Sequence, residues 1–249
     1  MKDNGLLCFH QGYADIFNSL ALIDHYLKEY KKIYLIVRDD CVDIIEFYIQ
    51  NLNVCVFYIS KKSFSNLGYT MESLSLPKKI DLLFIGIYDD YRKDQYKDKY
   101  KIIFHNNKYD FCKAFYESYN IPYITRVEGF NITRNKELEN EKYSNFIDKT
   151  GDKYILFHEI IDHNLVTTKE DVKFININGM SNIFFDTIKI LENSIELHLL
   201  DSSWASFIYL LDCKYQLFKD KKIFLYTKRN LYKLFTEPLK LDNWVFVDC

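Results

Sequence analysis

The stretch Gly5-Leu6-Leu7-Cys8-Phe9-His10 begins the alternation that decides the fold. It is an apolar run of strand length, and the segment 16–30 that follows a short polar loop carries apolar side chains at helical spacing. A second apolar run, Ile33-Tyr34-Leu35-Ile36-Val37, comes directly afterwards. Strands without polar alternation are typical of a parallel sheet covered on both faces, so this opening predicts a β–α–β unit.

The same alternation continues along the whole chain and is interrupted once. Strands are predicted at 54–59, 81–87, 101–105, 154–158, 172–176, 195–200, 223–227 and 244–247, and helices at 42–52, 183–192 and 204–211. The interruption is polar and helix-compatible over 131–146. The sequence therefore predicts an α/β protein with two Rossmann-like lobes, residues 1–127 and 153–249, joined by a helical connection over 128–152.

Composition narrows the class of protein. The 249 residues include 33 Lys+Arg and 35 Asp+Glu, a formal net charge of −2, which argues against a nucleic-acid binder. No apolar run approaches the ~20 residues of a membrane span. The six cysteines lack close metal-ligand spacing, and the amino terminus lacks a secretory profile. We therefore expect a reduced, cytoplasmic protein with no nucleic-acid partner and no membrane span.

In open parallel sheets, ligands bind beyond the carboxyl ends of the strands, and the first such end is followed by Gln11-Gly12-Tyr13-Ala14-Asp15. Gly12 permits a tight turn, and the helix dipole is expected to hold Asp15 charged, as a general base requires. The alternative is that Asp15 only caps the helix. The loop lacks the two further glycines of a dinucleotide fingerprint, and the sequence contains neither GxxxxGK[ST] nor GxSxG.

A second polar loop, Asp201-Ser202-Ser203, lies between a predicted strand and the helix that begins near Trp204. Small hydroxyl side chains at a helix start can bind a phosphate group together with backbone N–H groups. The alternative is that Asp201 or Ser202 caps the helix.

Two other strand ends carry polar side chains. His158-Glu159 follows the strand at 154–157, and the string HEIIDH places a second histidine at 163. The zinc metalloprotease pattern requires histidines four apart on a helix, so no metal site is predicted here. Lys228-Arg229 follows the strand at 223–227 and either holds a diphosphate or forms a solvated basic turn.

Taken together, these motifs resemble a known family. The segment 9–37 resembles the amino-terminal lobe of GT-B glycosyltransferases, and most of all the ADP-heptose:lipopolysaccharide heptosyltransferases, whose first loop carries a Gly-Asp pair. The segment 195–205 is similar to the part of that family where a strand is followed by Asp-Ser/Thr-Gly. Small GT-B-like proteins of giant viruses and phages also resemble the chain, since they combine an H-x-G-x-x-D loop, a Y-I-x-x-H-(D/E) segment (here 154–159) and a later D-S-S.

The resemblance implies a GT-B-like fold with two parallel-sheet lobes facing a cleft. It also implies metal-independent transfer of a hexosyl or heptosyl group from a nucleotide-sugar to a glycan or other hydroxyl acceptor, with no further cofactor. The cell compartment would be the cytoplasm, that of the host if the protein is viral. Asp15 or His10 would remove the acceptor proton, and Gln11, Gly12 and Tyr13 would form the acceptor-side loop. The implied donor-binding residues are Asp201, Ser202, Ser203, His158, Glu159, Lys228 and Arg229.

Two alternatives remain open from the sequence. One is a non-catalytic GT-B-like protein that binds nucleotides or glycans, suggested by the short lobes and by Ser203 where the family has glycine. The other is a two-lobed sugar epimerase, which would require Asp15 and Glu159 to face one ligand.

Overall fold

A computed structural model describes residues 1–9, 12–60, 62, 73–85, 101–102, 111–158, 171–180, 184–227, 235 and 237–248. The chain divides into two compact units, Met1–Asn131 and Ile132–Cys249. This boundary falls inside the segment 128–152 that the sequence assigns to a connection. No helix in the described part of the chain is long and apolar enough to cross a membrane.

The first unit is a parallel sheet with helices packed on it. Its elements are β1 (Lys2–Phe9), α1 (Tyr13–Leu27), β2 (Tyr30–Arg38), α2 (Val42–Ile49), β3 (Val54–Ile59), β4 (Asp81–Ile85), β5 (Lys101–Ile102), α3 (Phe111–Glu117) and α4 (Thr125–Glu128). The described strands lie in the order β3-β2-β1-β4-β5, and every pair is parallel. This is the Rossmann arrangement, in which the strand order reverses between β1 and β4.

The apolar run of β1 forms a core on both faces of this sheet. Leu6 and Cys8 are buried in one cluster with Ile36 and Leu82. Leu7, which alternates with them along the strand, is also fully buried. Because successive side chains of a strand point to opposite faces, burial of all three requires cover on both sides.

Helix α1 is buried around most of its surface because it contacts β1, β2, α3 and α4. The contact with α4 depends on Gly129, which follows that helix. A Cβ atom at Gly129 would lie 2.9 Å from the Cβ of Ala21 and 2.9 Å from the carbonyl oxygen of Thr125. A side chain at this position would therefore force α1 and α4 apart.

The second unit repeats the α/β plan with a different strand order. Its elements are α5 (Lys136–Thr150), β6 (Tyr154–Phe157), β7 (Lys173–Asn176), α6 (Ile188–Asn193), β8 (Leu197–Leu200), α7 (Ser203–Tyr215), β9 (Ile223–Thr227) and β10 (Trp244–Asp248). The described strands are parallel in the order β10-β9-β8-β6-β7. The order therefore reverses between β6 and β8, as in flavodoxin-like sheets.

A partly buried ion cluster joins α5 to α6 in this unit. The Arg134 guanidinium donates from Nε to Glu139 Oε1 at 2.8 Å and from Nη2 to Glu192 Oε2 at 2.7 Å. Glu139 is 1% exposed. Burial opposes the charge of Arg134, but the two carboxylates outweigh it and raise the pKa of Arg134. The cluster thus compensates charges that would be costly to bury singly.

Several element bounds differ from the sequence expectation. Helix α1 begins at Tyr13 rather than at residue 16, because Gly12 occupies the N-cap and its carbonyl oxygen accepts the N–H groups of Asp15 and Ile16, each at 3.1 Å. It ends at Leu27, since Tyr30 already begins β2. Helices α3 and α4 were not predicted, and the helix predicted at 183–192 is a 3-10 turn followed by α6. The expected strand ends at 86–87 and 103–105 lie outside the described residues.

Candidate functional site

The two sheets place the candidate loops at the positions where α/β folds bind ligands. In the first unit, the strand order reverses beside β1, whose carboxyl end leads to Gly12 and Asp15. In the second unit, it reverses between β6 and β8, which lead to His158 and to Ser202. A crevice forms at such a point because the neighbouring connections cross to opposite faces of the sheet.

Asp15 lies in the first turn of α1 but does not occupy its N-cap. The N-cap is Gly12, and Asp15 stands at the third helical position, where a backbone hydrogen bond from Gly12 reaches its carboxyl group. This is the return half of a capping box. One carboxyl oxygen of Asp15 therefore caps the helix, as the alternative interpretation expects, and the other does not take part in this bond.

The environment of the Asp15 carboxyl group is unusual for a charged group. Its Oδ1 atom is buried and has no hydrogen-bond partner among the described residues. Burial raises the pKa of Asp15 to about 7, and the Gly12 hydrogen bond opposes the shift. Burial outweighs the Gly12 hydrogen bond, so the carboxyl group is less readily charged near pH 7 than the sequence expectation held. A carboxyl group with a pKa near 7 suits proton transfer at neutral pH.

Asp15 also has an electrostatic effect on the core of the first unit. Cys112 of α3 is fully buried; burial raises the pKa of its thiol, Arg126 opposes the shift, and the charge of Asp15 adds to it. The charge of Asp15 is therefore felt at a buried residue of α3.

A cation that the sequence did not predict lies close to Gly12. The Tyr13 hydroxyl donates to the carbonyl oxygen of Asp40 at 2.6 Å. Arg38, at the carboxyl end of β2, donates from Nε to Asp40 Oδ1 at 2.9 Å, and its Nη1 would lie 3.9 Å from a Cβ atom on Gly12. The signal was available, since Arg38 directly follows the apolar run 33–37.

In the second unit, the structure joins two of the predicted residues directly. Ser202 Oγ lies 3.0 Å from His158 Nδ1. His158 is 7% exposed, and its backbone N–H donates to the carbonyl oxygen of His198 at 2.9 Å, which extends the pairing of β6 with β8. The side chains that follow the two strands of the switch point are therefore linked to each other.

Ser202 occupies the N-cap of α7, but its side chain makes no capping hydrogen bond. Ser203 is the first residue of the helix, and Asp201 precedes the cap and is half-buried. The packing of Trp204 on Phe184, with ring centroids 4.2 Å apart, fixes the start of α7. Because first-turn N–H groups have no acceptor within a helix, this end is suited to bind an anion.

The remaining predicted residues are not placed. His10, Gln11, Glu159, Lys228 and Arg229 lie outside the described residues. Their roles, and the epimerase pairing of Asp15 with Glu159, therefore stay predictions. Within the described ranges, no three His, Cys, Asp or Glu side chains cluster as metal ligands would.

Two Rossmann-like units in one chain, each with a polar loop at its switch point, define a GT-B-like architecture. The chain is similar in structure to a glycosyl transferase family 9 protein from Veillonella parvula DSM 2008, with a TM-score of 0.59 and 8% identity over 98% of this chain and 86% of that one. It is also similar to E. coli ADP-heptose LPS heptosyltransferase II, with a TM-score of 0.59 and 10% identity over 99% of this chain and 90% of that one. E. coli heptosyltransferase WaaC with ADP matches with a TM-score of 0.51 and 10% identity over 99% and 93%.

At these identities the likeness establishes the fold, and the predicted GT-B fold is confirmed. The match extends over nearly the whole chain and most of each solved structure. No protein-family model and no curated protein sequence matches the chain.

Proposed function

We propose that this chain is a glycosyltransferase that moves a sugar from a nucleotide-sugar donor to an acceptor hydroxyl group without a divalent metal ion. The GT-B fold supports this proposal, since the similar solved structures are named as glycosyl transferases and heptosyltransferases and one of them was solved with ADP. The second unit would bind the donor, and the first unit would bind the acceptor.

The observation that carries the proposal is the Asp15 carboxyl group. It stands at the switch point of the first sheet, with a buried Oδ1 atom lacking a partner among the described residues and a pKa raised to about 7. In the proposed step, the Asp15 carboxylate takes the proton of the acceptor hydroxyl group. At the same time, the oxygen of that hydroxyl group attacks the anomeric carbon of the donor sugar. The bond from that carbon to the donor phosphate breaks, and its electron pair leaves with the nucleoside diphosphate. His10 is the second candidate for this base.

The departing diphosphate would be bound at the amino end of α7. Ser202 and Ser203 supply hydroxyl groups there, and the helix supplies first-turn N–H groups and the positive end of its dipole. These groups would stabilise the negative charge that develops on the leaving group, which is the task of a metal ion in other transferases. Lys228 and Arg229 are proposed to add positive charge, Glu159 and Asp201 to complete the donor site, and His158 to contribute to it by its bond with Ser202.

The test is a panel of UDP-, GDP- and ADP-linked hexoses and heptoses, assayed for donor hydrolysis and for transfer to sugar acceptors with and without EDTA. We expect turnover of at least one donor, unaffected by EDTA and strongly reduced in Asp15→Asn. Consumption of none of the donors, or full activity of Asp15→Asn, would contradict the proposal. Stabilisation by nucleotides without turnover would instead favour the non-catalytic binding protein.

A further inference from the structure

The hydrogen bond between Ser202 and His158 has a direction that matters for a phosphate ligand. A serine hydroxyl carries one hydrogen, so Ser202 Oγ either donates to His158 Nδ1 or accepts from a hydrogen on that nitrogen. The two atoms are 3.0 Å apart, which is a normal hydrogen-bond distance in either case. The position of one proton on His158 therefore decides where the Ser202 hydrogen points.

The position of Ser202 makes this choice consequential. A serine at an N-cap normally accepts an N–H group of the first helical turn, yet the Ser202 side chain makes no such bond. Its oxygen is held by the imidazole instead, and the first-turn N–H groups of α7 are not taken by this hydroxyl. The oxygens of a diphosphate only accept hydrogen bonds. Ser202 can therefore contribute its hydrogen to a diphosphate only when His158 donates from Nδ1.

We propose that His158 is a positioning residue for the donor diphosphate: its Nδ1–H donates to Ser202 Oγ and so directs the Ser202 hydroxyl hydrogen to a phosphate oxygen at the amino end of α7. This inference rests on the proposed function of the second unit. The histidine is well placed for the task, because its backbone is bonded to His198 in the neighbouring strand and its side chain is buried. It acts through Ser202 and is not assigned a contact with the reacting atoms.

Two substitutions of His158 separate this role from simple packing. In His158→Asn, the amide nitrogen can take the place of Nδ1 and can still donate to Ser202. In His158→Gln, the longer side chain carries its amide farther out, near the place of Nε2, and the donor at Nδ1 is lost. His25→Gln, on α1 of the first unit, serves as a matched control for loss of an imidazole.

The experiment measures binding of ADP, UDP and GDP to the full chain by titration calorimetry, with circular dichroism as the check of folding. For the nucleotide that binds the unaltered chain, we expect about tenfold weaker binding by His158→Gln and by Ser202→Ala. We expect His158→Asn and His25→Gln to bind within about twofold of the unaltered chain.

A double-mutant cycle shows whether His158 acts through Ser202. In the Ser202→Ala background, His158→Gln should have no further effect on affinity, because the hydroxyl that it orients is absent. If the double variant lost affinity by the product of the two single losses, the inference would be overturned. Equal affinities of folded His158→Gln and folded His158→Asn would also overturn it. Binding of none of the three nucleotides to the unaltered chain would overturn the donor site itself, and this inference with it.

Discussion

In the first unit, the loop after β1 starts its helix with a glycine, whereas in the second unit the loop after β8 starts its helix with a serine. The first turn of α1 holds a half-buried carboxyl group whose buried Oδ1 atom lacks a partner among the described residues, and the N-cap of α7 holds a hydroxyl group bonded to a histidine. An unsatisfied carboxyl group favours proton transfer, while an oriented hydroxyl group favours binding of an anion. On the proposed function, the amino ends of these two helices would serve two kinds of chemistry, and the side chains would decide which.

The largest effect that tests this contrast is a split between turnover and binding. Asp15→Asn should lower kcat by about 10²- to 10⁴-fold, the usual contribution of a general base, and should leave nucleoside diphosphate affinity unchanged. Ser202→Ala should weaken that affinity about tenfold and change kcat less. Steady-state kinetics and calorimetry measure both quantities. If Ser202→Ala lowered kcat as far as Asp15→Asn does, or if Asp15→Asn weakened nucleoside diphosphate affinity as far as Ser202→Ala does, the two loops would not have separate roles.

The second effect concerns the ion cluster that stabilises the second unit. Arg134→Gln should lower the free energy of unfolding by about 3 kcal/mol, because it leaves the Glu139 carboxylate buried without its main partner. The matched control is Lys136→Gln, since Lys136 approaches the same carboxylate at 3.9 Å but is 61% exposed. Its loss should change stability by less than about 1 kcal/mol. Urea unfolding measures both, and equal effects would contradict this view of the cluster.

The third effect compares two glycines of the first unit. Gly129→Ala should lower the free energy of unfolding by about 2 kcal/mol, because the new Cβ atom would lie 2.9 Å from the Cβ atom of Ala21 and from the carbonyl oxygen of Thr125. Gly12→Ala should lower the free energy of unfolding by less than about 1 kcal/mol, since the nearest atom to the new Cβ would be Arg38 Nη1 at 3.9 Å. Thermal unfolding of the two variants measures the difference. A larger loss for Gly12→Ala would mean that the first loop constrains the backbone more than its contacts indicate.

The smallest effect is a gain in stability at the proposed catalytic position. Between about pH 4 and pH 7 the folded chain keeps the Asp15 proton that the unfolded chain releases, so this group lowers stability as pH rises. Asp15→Asn should therefore raise Tm by a few degrees at pH 8 and by less at pH 5.

Asp43→Asn is the control for this gain, because Asp43 lies in the first turn of α2 but is exposed. Asp43→Asn should not raise Tm, since the carboxylate that it replaces is exposed to water in the unaltered chain. A Tm of Asp15→Asn that equals the unaltered value at both pH values would show that Asp15 is not desolvated.

Much of the fold could be predicted because the strands are local apolar runs. The bounds of β3 and β9 agree with the sequence prediction. Helices α3 and α4 were missed, since Asn120 and Pro122 between them interrupt the helical pattern. Their apolar side chains are ordered by packing on α1, which is a tertiary effect.

The sequence predicted where the candidate loops lie, but it did not predict the environment of their side chains. Strand ends located the loops that hold Asp15 and Ser202, because ligand crevices follow from sheet topology. The raised pKa of Asp15 depends on its burial in the folded unit, and the partner of Ser202 lies 44 residues away in the sequence. No local pattern encodes either contact.

The central claim is that a desolvated Asp15 removes the acceptor proton, and the pH dependence of kcat/KM tests it most directly. For the unaltered chain we predict a rate that rises tenfold per pH unit below an apparent pKa of about 7 and then levels off, because only the carboxylate accepts a proton. The residual activity of Asp15→Asn should lack this rise. A flat profile between pH 5 and pH 8 for the unaltered chain, or the same rise in Asp15→Asn, would contradict the claim.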